Sequence, residues 1–257
     1  MAYEGMIAET VQVTGANGDR IDAYLARPTG DGPFPGVIVA HHMPGWDEWS
    51  KEITRRFAHH GYAAICPNLH HRMGPGTPTE NADRIRESGG QVDALVVGDI
   101  EGALNYLRTS TPSTGKVGVI GFCSGGRVTL MVSAKIPSLD AAVPCWSGNV
   151  IPAPDRLTPN QPVPVFDMLA DVSCPVLGIF GNDDGNPDPD QVDKIEAELK
   201  KHGKTYEFHR YDGAGHAFFR WEAKSHRPEQ AADAWEKIWP FYAKHLGAGV
   251  AATAVAV

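Results

Sequence analysis

The sequence predicts an α/β protein with a mostly parallel, twisted sheet covered by helices on both faces. Three observations carry this. Short apolar runs alternate along the chain with stretches of helical period, the pattern of repeated βα units. The runs Val37-Ile38-Val39-Ala40, Tyr62-Ala63-Ala64-Ile65-Cys66 and Val117-Gly118-Val119-Ile120 are continuous rather than alternating, as strands buried on both faces are. No repeat or low-complexity linker divides the 257 residues, so two smaller α/β domains have no boundary to fall on, and residues 1–257 are expected to form one domain.

The elements follow in order. Arg20 to Ala26 alternates in part, as an edge or outer strand does. Pro33 to Gly36 then turns the chain into the first buried run. Trp49, Ile53 and Phe57 fall four apart on one helical stripe that starts near Asp47 or Ser50 and stops at Gly61. Residues 67–90, rich in Pro, Gly, His and Arg, read as a long loop with one short turn. Val92 to Leu107 is a helix by the spacing of Val96, Ile100, Ala103, Leu104 and Leu107. Val128 to Ala134 belongs to the helix after the 117–121 strand. Residues 141–143, 175–180 and 206–211 are further strands. Val192, Ile195 and Leu199 mark a helix opened by Pro189-Asp190, and a last helix runs from about Glu229 to His245. The small, uncharged end 247–257 reads as a tail.

Composition removes several classes of function. With 31 acids against 23 bases the net charge is -8, which does not suit neutralising a phosphate backbone, so no nucleic-acid partner is expected. No run of apolar residues is long enough to span a bilayer, and the start lacks a basic region followed by an apolar core. A cytoplasmic, membrane-free protein is the expectation. Its 4 cysteines form no CxxC pair, and neither a G-x-G-x-x-G nor a Walker A loop follows a strand.

The sharpest local signal is Gly121-Phe122-Cys123-Ser124-Gly125-Gly126, between an apolar strand and an apolar helix. It is a G-x-S-x-G elbow with sulfur in place of the hydroxyl; its glycines permit a tight turn that lifts residue 123 above the sheet. The Ser124 N–H would face a tetrahedral oxyanion, and the helix N-terminus favours a thiolate. Two more polar loops follow strands at the same edge: Gly181 to Pro187, with Asp183 and Asp184, and Gly213-Ala214-Gly215-His216. The order nucleophile, acid, histidine is that of α/β-hydrolases. His216 would move the proton, and one of the two aspartates would orient its ring.

These motifs resemble the dienelactone hydrolase family, the α/β-hydrolases also called carboxymethylenebutenolidases, over roughly residues 10–245. The family's G-[YF]-C-x-G-G stands at Gly121 to Gly126, its Gly-x-x-Asp at Gly181 to Asp184, and its Gly-His-x-Phe at Gly215 to Phe218. The resemblance implies a Cys123–Asp184–His216 triad that hydrolyses an ester or lactone through an acyl-cysteine. It also implies that Met43 N–H completes the oxyanion hole with Ser124 N–H, and that arginines around the cleft hold a substrate carboxylate. Arg72, Arg84 and Arg86 are the candidates, while Arg127 pairs with an acid behind the site. Family members that cleave dienelactone carry Gln-Glu-x-Phe-Gly where this chain has His41-His42-Met43-Pro44-Gly45, so His42 stands at the glutamate and is expected to tune the nucleophile.

Trp46, Trp146 and Phe219 fall in or beside strand-end loops and are expected to wall an apolar pocket. That feature favours the alternative of a general carboxylesterase or thioesterase on a more hydrophobic substrate; a catalytically weak binding protein is the other alternative. His41-His42 and His70-His71, with Asp47 or Glu48 nearby, raise zinc. Adjacent histidines diverge on an extended backbone and no HExxH occurs, so neither metal nor cofactor is expected. The expected partner is one small ester or lactone, bound by a monomer, with a dimer as the alternative.

Overall fold

A computed structural model describes residues 5–247 of the chain; all but Gly247 of the expected tail lies outside them. The strands are β1 (Met6–Thr14), β2 (Arg20–Pro28), β3 (Phe34–Ala40), β4 (Ala63–Pro67), β5 (Ser113–Phe122), β6 (Ala141–Cys145), β7 (Val176–Gly181) and β8 (Tyr206–Tyr211). They form one 8-stranded sheet in the order β1-β2-β4-β3-β5-β6-β7-β8. β2 pairs antiparallel with both β1 and β4, and every other neighbouring pair is parallel. The helices are α1 (Glu48–His59), α2 (Pro78–Glu87), α3 (Asp93–Thr109), α4 (Ser124–Lys135), α5 (Pro189–Lys201) and α6 (Pro228–Leu246).

The continuous apolar runs lie where their composition places them. Every residue of β3, β4, β6 and β7 is buried, because helices cover both faces. α3 and α4 pack Val96, Ile100, Leu104, Leu130 and Val132 onto one face. α1 and α6 pack Trp49, Ile53, Phe57, Trp235, Ile238 and Tyr242 onto the other. Tyr242 lies across Gly118, where a Cβ would strike its ring, and its hydroxyl donates to Val119 O at 2.9 Å.

One local expectation is corrected and one is narrowed. The 67–90 stretch contains a full helix, α2, started by a capping box: Glu80 N–H donates to Thr77 Oγ1 and Thr77 N–H donates to Glu80 Oε2, with Pro78 in the first turn. It buries only Asn81, Ala82 and Ile85, so no apolar stripe announces it. β2 is not an edge strand, because β1 covers its outer side. β1 itself is almost wholly solvent-facing, with Val13 its one buried residue.

The sheet order sets the site. β3 sits between β4 and β5, and the chain leaves β3 toward the α1 face but leaves β5 toward the α4 face. A crevice opens at such a switch point, at the strands' carboxyl ends. Ala40 and Gly121 are in register there, so His41 to Met43 and Cys123 emerge side by side.

Candidate active site

Cys123 occupies φ 57 and ψ -117 between β5 and α4. A side chain in that region is strained and persists because the surroundings impose it. The glycines around it are dictated by close approach. A Cβ on Gly121 would run into Gly125 O, one on Gly125 into Ala40 O, and one on Gly126 into Cys145 O and Ser147 Oγ. The elbow is therefore pressed onto the ends of β3 and β6, and Cys123 N–H donates to Cys145 O at 3.1 Å.

Asp184 and His216 come from the loops after β7 and β8. Asp184 is buried, and its Oδ2 accepts from His216 Nδ1 at 2.8 Å while Oδ1 accepts Asn186 N–H at 2.9 Å. Asp183 is exposed, so the open choice between the two falls on Asp184. The other side of the His216 ring meets Cys123. Burial works against an imidazolium, but bonding to Asp184 and to the sulfur outweighs it and raises the His216 pKa to about 10. Burial also opposes a thiolate at Cys123. The His216 ring and the N–H groups of Ser124 and Met43 outweigh it, holding the thiol below its ordinary value. The N–H groups of Met43 and Ser124 thus both face the sulfur.

His42, expected to tune the nucleophile, is tied to a carboxylate of its own. Its Nε2 bonds Asp47 Oδ2 at 2.7 Å, and its ring packs 4.9 Å from Trp49. A carboxylate within reach of a buried imidazole captures it, and burial notwithstanding, the His42 bond holds Asp47 at a pKa of about 2. His41 bridges His42 O and Leu69 N–H, His70 stands edge-on to His41, and His71 bonds Asn68 O. Among the described residues, no group of three or more His, Cys, Asp or Glu gathers as metal ligands would.

The cleft above Cys123 has a volume of about 790 Å³ and continues past His216 and Ser124 between the 86–91 and 148–161 segments. Its cationic wall differs from the expected one. Arg72 is away from the cleft, holding Asp99 at 2.6 and 2.9 Å and Asp19 at 2.9 Å; the fully buried Asp99 carboxylate requires such a partner. Arg84 braces its own loop through Met73 O, Pro75 O and Asn81 Oδ1. Arg86 does line the cleft, together with Arg127 and Arg156. Arg127 is already held in a buried two-bond pair with Asp93 at 2.7 and 2.8 Å. Arg156, which no local pattern flagged, is exposed on a short helical turn, 154–156.

The expected aromatic wall is also corrected. Trp146 and Phe219 are 1% and 4% exposed and pack edge-on to each other and at a tilt against Phe122 beneath the elbow. Trp46 donates its Nε1–H to Cys66 O at 2.8 Å and carries Lys51 over its ring. They are floor and flank; the cleft is lined instead by Met43, Val128, Pro152, Leu157 and polar side chains such as Gln91 and Gln161.

An eight-stranded sheet with a nucleophile elbow at its switch point defines an α/β-hydrolase. The dienelactone hydrolase family model matches residues 21–246. A Methylorubrum extorquens protein described as "Putative carboxymethylenebutenolidase" is 34% identical over 244 residues, spanning 94% of this chain and 82% of its own. A Bradyrhizobium protein described as "Probable 2-oxo-3-(5-oxofuran-2-ylidene)propanoate lactonase" is 30% identical over 248 residues, 96% of this chain and 98% of that one. The crystal structure of a "Putative Dienelactone Hydrolase" from Klebsiella pneumoniae superposes with a TM-score of 0.85 at 30% identity, covering 94% of this chain and 100% of that one. The chain belongs to the dienelactone hydrolase family, and it is a carboxylic ester or lactone hydrolase. Among the described residues no helix is long and apolar enough to cross a membrane.

Proposed function

We propose that the chain hydrolyses a small anionic ester or lactone with Cys123 as nucleophile, His216 as acid and base, and Asp184 as orienter. The observation that carries this is the convergence on one sulfur of His216 and the Met43 and Ser124 N–H groups. The Cys123 thiolate attacks the acyl carbon, forming a C–S bond, and the carbonyl oxygen takes the negative charge toward those two amides. The intermediate collapses as the C–O bond breaks, and His216 gives its proton to the departing oxygen. His216 then takes a proton from water, whose oxygen attacks the thioester and releases the acid and the thiolate.

Arg86 and Arg156 support an anionic substrate, since both line the cleft beyond the nucleophile; Arg86 pairs with Asp83 at 2.6 Å only in the open, whereas Arg127 is neutralised by Asp93 in a buried pair. A lactone carrying a carboxylate, of the kind in the Bradyrhizobium protein's description, has the matching chemistry. The hydrophobic-ester alternative loses its support with Trp46, Trp146 and Phe219, none of which lines the cleft. The enzyme is read as a cytoplasmic monomer.

The test is hydrolysis of a panel holding an anionic enol lactone, p-nitrophenyl acetate and longer neutral esters. Cys123→Ala is expected to lose about 10⁴-fold or more of kcat. Turnover that survives in the variant ends the cysteine mechanism, and a neutral long-chain ester as best substrate ends the anionic assignment.

A further inference from the structure

We infer that His41 is a positioning residue for the oxyanion hole, fixing from behind the peptide whose N–H faces Cys123. The inference rests on the reading of Met43 N–H as an oxyanion donor. That N–H and the carbonyl of His42 belong to one planar peptide group and point in opposite directions. Whatever grips the carbonyl therefore aims the N–H. Two donors grip it: His41 Nδ1–H at 2.9 Å and Gly45 N–H at 2.9 Å. They fill both lone pairs of the oxygen, and bonds accepted there also polarise the N–H on the far side of the same group.

The His41 ring is itself held in the required form. Its Nε2 accepts Leu69 N–H at 3.1 Å, so Nδ1 carries the proton. It is 2% exposed at the end of β3, stands edge-on to His70 with centroids 4.6 Å apart, and among the described residues has no carboxylate bonded to it. Burial pushes its pKa down to about 4, so near neutral pH it is one donor and one acceptor. The His42 ring, tied to Asp47, anchors the same residue from its side chain. Met43 N–H is thus set by a clamp that touches neither substrate nor sulfur.

The two ring nitrogens can be tested separately. An asparagine amide nitrogen falls near the place of Nδ1, whereas the end of a glutamine falls near Nε2. His41→Gln keeps an acceptor for Leu69 N–H and loses the donor to His42 O. His41→Asn does the reverse. On the ester that wild type turns over best, H41Q is expected to lose about tenfold in kcat with KM held within about twofold, because the oxyanion forms only after binding. H41N is expected to rescue most of that kcat while showing the lower Tm. A trifluoromethyl ketone, whose cysteine adduct places an oxyanion in the same hole, should bind about tenfold more weakly to H41Q than to H41N. Equal losses in both variants, or kcat that merely follows Tm, would show a packing role and overturn the inference. Undiminished kcat in H41Q overturns it as well. Absence of any Cys123-dependent turnover in wild type is the distinct result that removes the underlying reading, and this inference with it.

Discussion

Two histidine–aspartate pairs flank the nucleophile, with almost the same bond length and opposite designs. In the first, His216 meets Asp184 at 2.8 Å, the ring is 37% exposed and the acid 3%. In the second, His42 meets Asp47 at 2.7 Å, the ring is 4% exposed and the acid 21%. A proton-transfer ring must reach both sulfur and incoming water, while the acid that orients it serves best with no water competing. The first pair has that arrangement. The second buries the ring beside Trp49 and commits its acid to the α1 N-cap, where Asp47 Oδ1 accepts Ser50 N–H at 3.0 Å. In the proposed mechanism only the first pair moves a proton, and the exposure of its two partners suits that use.

The largest test of that contrast removes each charge in turn. Asp184→Asn should cost about 10⁴-fold in kcat by disturbing the tautomer and orientation of His216. Asp47→Asn keeps a helix cap and should cost less than about tenfold. Equal losses would erase the distinction.

Titration sharpens it next. In wild type, the rate of Cys123 alkylation should show a midpoint below the ordinary thiol value of 9.0. His216→Gln leaves burial in place without the imidazolium, so the midpoint should rise from its wild-type position. The stability signs follow. The His216 pKa is raised, so its contribution is complete below 6.5 and is lost as pH climbs through about 10. That of Cys123 is lowered, so its contribution is present above 9.0 and is lost as pH falls through the folded value.

A third ion pair separates holding the fold from doing chemistry. Asp93→Ala leaves the Arg127 guanidinium buried and unpaired, and should destabilise the protein by about 3 kcal/mol in denaturant unfolding. The smallest effects belong to the exposed arginines. Arg156→Ala and Arg86→Ala should each raise KM about fivefold for an anionic lactone, and leave a neutral ester unchanged. An equal change for both substrates would remove the arginines from recognition.

The contrast also marks what could be read from the chain alone. Cys123, Ser124, His216 and the Asp183–Asp184 pair follow strand ends, which apolar runs and one alternating segment announce, whereas Met43 and the choice of Asp184 over Asp183 came from the resemblance to the family. His42 was legible as a departure, but its partner was not. Asp47 is five residues away along a turn whose path is set by Gly45 at φ 104 and the α1 cap. The arginines were the least legible, because a long flexible cation goes to whichever buried acid needs it. Asp99 took Arg72 from 27 residues away, and Asp93 took Arg127 from 34. α2 was missed although Thr77-Pro78-Thr79-Glu80 spells its capping box, since a helix exposing most of its surface leaves no apolar stripe.

The elbow that lifts Cys123 into the cleft has a counterpart in where the other sulfurs lie. Cys66, Cys145 and Cys174 are all free and buried, and burial raises the pKa of each, that of Cys174 to about 12. Of the four thiols, Cys123 alone is both reachable and held below the ordinary thiol value. A thiol reagent therefore acts as a stoichiometric counter: one equivalent consumed reads the number of competent active sites in a preparation, and any second equivalent reads the fraction of molecules that have opened their core.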